Sequence, residues 1–124
     1  MNVKRLQFVV VLCLLASFGI NLHAQSAAPA TVDLLKQAYA TLSVADHDYQ
    51  GHRVRAMKQI EAAASVVGVS VAGNGKGHEA QVVSDQQLRT AQTLLQQARP
   101  GLPAKAQKHV DKALEQITTA LSIK

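Results

Sequence analysis

Two stretches decide the fold: His52-Arg-Val-Arg-Ala-Met-Lys-Gln-Ile-Glu-Ala-Ala-Ala-Ser65 and, 57 residues further on, His109-Val-Asp-Lys-Ala-Leu-Glu-Gln-Ile-Thr-Thr-Ala-Leu-Ser122. In that register His52, Ala56, Gln59, Ile60, Ala63 and Ser65 fall on His109, Ala113, Gln116, Ile117, Ala120 and Ser122, while Arg55 and Met57 meet Lys112 and Leu114. Ala-rich amphipathic helices resemble one another through composition alone, so the matched histidines and the two Gln-Ile pairs are the specific part. Upstream of both stretches a second match runs at an offset of 53, with Leu35, Lys36, Ala38, Leu42 and Ala45 on Leu88, Arg89, Ala91, Leu95 and Ala98. The change of offset places a four-residue length difference in the turn inside each half. Similarity at a fixed spacing is the mark of a repeated unit, and the chain reads as one helical hairpin used twice.

The hydrophobic period supports helices throughout. From Thr31, Leu35, Ala38, Leu42 and Ala45 recur at three- and four-residue steps, the spacing of a stripe on a helix. A polar break follows at Asp46-His-Asp-Tyr-Gln-Gly51, where Asp48 is placed to cap a second helix. That helix carries Val54, Met57, Ile60, Ala64 and Val67, and Gly68 is placed to end it. Residues 68–83 contain Gly73, Gly75 and Gly77 and read as a loop; Val69-Ser-Val71 and Gln81-Val-Val83 would make only a marginal two-stranded hairpin. Ser84 with Gln87 has the capping-box form and is expected to open the third helix, whose stripe is Leu88, Ala91, Leu95 and Ala98. Arg99-Pro-Gly101 stops it. Pro103 suits the start of a fourth helix carrying Ala106, Val110, Ala113, Ile117 and Ala120, with Leu114 and Leu121 widening the apolar face. Neither hairpin buries its stripe alone. The expected fold is therefore all-α: an antiparallel four-helix bundle of two αα-hairpin repeats, residues 31–67 and 84–124, joined by a Gly-rich linker at 68–83.

The N-terminus reads as an export signal. Lys4 and Arg5 precede the apolar run Phe8-Val-Val-Val-Leu-Cys-Leu-Leu-Ala-Ser-Phe18, and Leu22-His-Ala24 precedes Gln25. Charged, apolar and small residues in that order make a secretory signal peptide, with cleavage after Ala24 and a flexible leader at 25–30. The run from Leu6 to Ile20 is shorter than the roughly 20 apolar residues a membrane span needs. A periplasmic or secreted protein with no membrane span after cleavage is the expectation.

Cleavage removes Cys13, the one cysteine, and with it thiolate and disulfide chemistry. It also lowers the net charge from +5 to +3 and leaves Tyr39 and Tyr49 as the aromatic residues. So small an excess, without aromatic platforms for bases, argues against a nucleic-acid partner. An aromatic-poor core buries little area per residue, which favours a protein partner or self-association.

The segment Ala45-Asp-His-Asp-Tyr-Gln-Gly-His-Arg53 resembles one found in small exported bacterial proteins of unassigned function. Some of these share a Gly-rich middle like Gly73-Asn-Gly-Lys-Gly-His-Glu79 and a Lys-His pair in the last helix. The resemblance spans most of the mature chain and implies export, with no activity attached.

Candidate chemistry concentrates at the first turn. Asp46, His47, Asp48, Tyr49 and His52 offer carboxylates, imidazoles and a phenol together, and imidazole is the commonest metal ligand. His47, Asp48 and His52, with His109 as the repeat partner of His52, are the candidate ligands for a divalent metal; nothing in the sequence requires a cofactor. The structural alternative gives Asp48 to capping, Gly51 to close packing, Tyr49 to covering the bundle end and His52 to a local hydrogen bond.

Other motifs fail on detail. Around Lys76 a phosphate loop would need Gly at Ser70 and Ser or Thr at Gly77, and His78-Glu79 lacks the second His of a zinc protease at Val82. No Glu is followed three residues later by His, which removes the usual di-iron bundle. Arg53, Arg55, Lys58, Lys105, Lys108 and Lys112 fall mostly on the outer faces of the second and fourth helices. The expected role is a non-enzymatic binding or structural module, the alternative a metal- or small-ligand-binding protein.

Overall fold

Leu35, Ala38, Leu42 and Ala45 are all wholly buried; the first three lie on α1, Pro29–Val44, and Ala45 is its C-cap. The helix starts two residues before Thr31 because proline fits a first helical turn, where its missing N–H has no partner to lose. Three more helices follow: α2 at His52–Val66, α3 at Gln81–Ala98 and α4 at Ala104–Ser122. A short turn stands at Tyr49–Gly51 and a 3-10 turn at Arg99–Gly101. The computed structural model describes residues 26–45, 49–71 and 81–123, so the expected signal peptide and the triplet Asp46, His47 and Asp48 lie outside them.

Burial repeats with the sequence. At the offset of 53, Leu35 and Leu88, Ala38 and Ala91, Leu42 and Leu95, and Ala45 and Ala98 are all wholly buried. At the offset of 57 the same holds for Ala56 and Ala113, Ile60 and Ile117, and Ala63 and Ala120. These stripes alternate small with large side chains at heptad-like steps, the period of helices that pack at shallow angles. A core of such residues lets neighbouring backbones approach closely while Leu and Ile fill the space between.

Contacts at both ends fix the direction of every helix. Tyr39 meets Glu61, and Arg53 meets the Leu42 carbonyl, so α1 and α2 are antiparallel. Gln92 with Thr118 and Arg99 with Asp111 make α3 and α4 antiparallel. Tyr49, after α1, contacts Asp85 near the start of α3, while Gly101, after α3, abuts Thr31 near the start of α1. Hence α1 and α4 run one way, and α2 and α3 run the other. The largest interfaces join α2 to α4 and α1 to α3, each helix against the one whose sequence it matches. The end of α2 and the start of α3 therefore stand at opposite ends of the bundle, roughly 22 Å apart for a helix of the length of α2.

Several local expectations are corrected. Gln81–Ala98 is helix, so no strand forms at residues 81–83, and Ser84 is a buried residue within α3 rather than its cap. Helical hydrogen bonds satisfy that backbone better than a two-stranded pair would, and Ser84 turns its hydroxyl to Tyr49. The N-cap of α2 is Gly51, with no side-chain cap, and not Asp48. Of the expected α2 stripe, Met57, Ile60, Ala64 and Val67 are buried, together with Ala56 and Ala63, and Val54 is exposed. Gly68 ends α2 as expected: its φ is 75°, its N–H reaches the Ser65 carbonyl, and the Val69 N–H reaches Ala64, the double bond of a Schellman cap.

Candidate functional site

The seam between α2 and α4 holds the two candidate histidines. His52 Nδ1 lies 2.7 Å from Gln116 Oε1, and His109 Nδ1 lies 3.0 Å from Gln59 Oε1. Each pair joins a histidine of one hairpin to a glutamine of the other, and the pairs exchange when the repeats are exchanged. Seven residues along α2 match seven in the reverse sense along α4, so the antiparallel register is fixed twice. Between the pairs lie Ala56 and Ala113, both wholly buried, whose methyl groups permit the close approach that brings the polar side chains together.

An amide oxygen only accepts, so each imidazole donates from Nδ1–H. Both histidines and both glutamines are half-buried at the edge of the seam. His52 therefore bonds across the bundle to α4 rather than locally. The two pairs stand about 10 Å apart along the helices, so the two imidazoles do not converge on one position. Among the described residues no group of three or more His, Cys, Asp or Glu could hold a metal ion. Of the sequence candidates, His47 and Asp48 lie outside the described residues, and His52 and His109 occupy separate, equivalent places.

Tyr49 closes one end of the bundle. Its ring is 1 % exposed, and its hydroxyl donates to Asp85 Oδ1 at 2.6 Å. Burial, then the hydrogen bond and charge of Asp85, push the phenol far above its ordinary range. The anchor holds a turn in which Tyr49 (φ 48°), Gln50 (φ 54°) and Gly51 (φ 83°) are consecutively left-handed. A Cβ on Gly51 would meet nothing within 4 Å, so conformation rather than close packing is what asks for glycine there.

On the solvent side of the seam stand Arg55 and Lys58 from α2 and Lys105, Lys108 and Lys112 from α4, all exposed. Arg55 lies one turn from both His52 and Gln59, and Lys112 lies one turn from both His109 and Gln116. Among the described residues none of these five cations has a carboxylate partner. Arg53 differs, since its guanidinium turns inward to the Leu42 carbonyl at 3.0 Å. Sequence reasoning saw the basic residues and the matched Gln-Ile pairs but missed Gln59 and Gln116 as partners. The identical offset of His and Gln was the available signal.

The grooves of about 390 and 270 Å3 on either side of Ser70 and Val71 are not lined by either histidine. No described helix is long and apolar enough to cross a membrane. Compared with protein-family models, with curated proteins and with solved structures, the chain matches none.

Proposed function

We propose that this is an exported, duplicated helical hairpin that acts at its surface as a non-enzymatic binding or structural module. One observation carries the reading: the inside of the bundle is filled by the apolar stripes, while the α2–α4 face carries five cations without carboxylate partners among the described residues. Unpaired like charges on one rigid face are a surface offered to an opposite charge. Export rests on the order of Lys4, Arg5, the apolar run and Ala24, and a periplasmic or secreted location follows from it. Duplication rests on the shared offsets and the exchanged His–Gln pairs.

A second reading is favoured by the tethering of His52. Metal-binding histidines usually donate their other ring N–H to an acceptor, as His52 does to Gln116. A divalent metal or small ligand would then be held at the first turn by His52 with His47 and Asp48, and His109 would be its counterpart in the other hairpin rather than a fourth ligand.

A native mass spectrum of the protein recovered from its exporting cells tests both. The module reading expects an N-terminus at Gln25 and no retained small molecule. A reproducible added mass that disappears in His52→Ala would contradict it and establish the ligand reading.

A further inference from the structure

The chemistry of the α2–α4 face says what kind of partner it meets. Arg55 and Lys58 form one row on α2, and Lys105, Lys108 and Lys112 form a second on α4, on either side of the seam. Glu115 is the one acidic residue in α4 on this side. The other described carboxylates are placed elsewhere: Glu61 bonds Tyr39 of α1, Asp111 pairs with Arg99, Asp85 bonds Tyr49, and Asp33 is on α1. Between the rows lie Gln59 and Gln116, each hydrogen-bonded to a histidine of the other hairpin.

We infer that this face docks on an anionic phospholipid bilayer, an inference that rests on the binding-module reading. Two antiparallel helices side by side make a flat, straight surface. A plane of mobile headgroups can bring a charge to every cation of such a surface, whatever their spacing. Four of the five cations are lysines, which act as point charges rather than as planar forks that select one phosphate geometry. No aromatic residue lies in α2 or α4, so unstacked bases have no platform. Among the described residues no element stands out from the face to enter a duplex groove. Neither of the two grooves beside Ser70 and Val71, which could select a peptide side chain, is lined by any of the five cations. The face carries no large exposed apolar side chain either, since Val44, Val54, Val82 and Val83 lie elsewhere. Binding is therefore electrostatic, without insertion, and salt reverses it.

The test is co-sedimentation of the full chain with vesicles of phosphatidylglycerol in phosphatidylcholine, against phosphatidylcholine alone. The expected result is selective binding to the anionic vesicles, lost as ionic strength rises from about 0.05 to about 0.5 M. The double variant Arg55→Gln, Lys112→Gln should weaken that binding by about ten-fold or more, and Lys36→Gln, Arg89→Gln, with the same charge removed from the other two helices, by less than about two-fold. Both pairs are exposed and leave the core intact, which circular dichroism verifies. Equal binding to both vesicles, or equal losses in the two variants, would overturn the proposal. Retention on heparin that depends on Arg55 and Lys112 without any vesicle binding would overturn the lipid partner and keep the module reading. Failure to bind either would remove both. Preference for a nucleic acid duplex over vesicles at equal salt would also overturn it.

Discussion

His52 Nδ1 and Gln116 Oε1 meet at 2.7 Å across the α2–α4 seam, and the pair obtained by exchanging the hairpins, His109 with Gln59, meets at 3.0 Å. A two-fold exchange of hydrogen-bond partners requires the matched residues to lie on helices that face each other antiparallel. It links the repeat in the sequence to the register of the bundle.

If the pair rather than either residue matters, its members can be exchanged. His52→Gln alone should lower stability by about 0.5–1.5 kcal/mol, the usual net value of one hydrogen bond. The swapped variant His52→Gln, Gln116→His should recover most of that loss. Urea denaturation with an unchanged m value measures it; a swap no better than the sum of its single changes would count against the pair.

Tyr49 supplies a pH signature. Its phenol is raised in the folded state, whereas an unfolded tyrosine ionises near 10. Folding therefore holds a proton that the unfolded chain releases, so this contribution is complete below about pH 10 and is lost progressively above it. Tyr49→Phe should lower stability near neutrality by about 1–2 kcal/mol through the lost bond to Asp85, and its stability should fall less steeply above pH 10 than that of the parent chain.

The opposite end of the bundle depends on a contact without a hydrogen bond. A Cβ on Gly101 would overlap the Thr31 hydroxyl and stand 3.2 Å from Thr31 Cγ2. Gly101→Ala should lower stability by about 1–3 kcal/mol through overpacking. Adding Thr31→Ala removes the overlapping atoms and should restore part of it, which thermal melts of the four variants can determine.

The left-handed turn makes a prediction of two signs. Gly51 at φ 83° has open space around its Cα, so Gly51→Ala should cost about 1 kcal/mol through conformation alone. Gln50 is exposed with φ 54° and ψ 34°, so Gln50→Gly should be neutral or stabilising by a few tenths of a kcal/mol despite glycine's unfolded-state entropy. Chemical denaturation of both variants would separate backbone strain from packing.

The stripes of α1, α3 and α4 were legible because Leu, Ile and Val mark the phase of each helix without ambiguity. That of α2 was legible except at its first position: Met57, Ile60, Ala64 and Val67 are buried as expected and Val54 is not. Ala62, Ala63 and Ala64 are equally apolar, so nothing local shows that Ala56 and Ala63 are buried as well. Packing of α2 against both α4 and α1 buries that wider arc. The start of α3 was misjudged because Ser84 and Gln87 have capping chemistry, whereas the Ser84 hydroxyl is used in a tertiary contact with Tyr49. The common direction of α2 and α3 was illegible for a different reason: a linker of that length reaches either end of a bundle. The matched histidines were visible in the sequence, but their glutamine partners depend on an antiparallel register that no single helix encodes. The cluster at the first turn was legible as composition only, and its first three residues lie outside the described residues.

The most direct measurement is an amide chemical-shift map of the full chain, isotopically labelled, against nanodiscs containing phosphatidylglycerol. The account predicts salt-sensitive perturbations confined to α2 and α4 around Arg55, Lys58, Lys105, Lys108 and Lys112, with the buried positions of α1 and α3 unmoved. Perturbations centred on α1 and α3, or unaffected by salt, would contradict it.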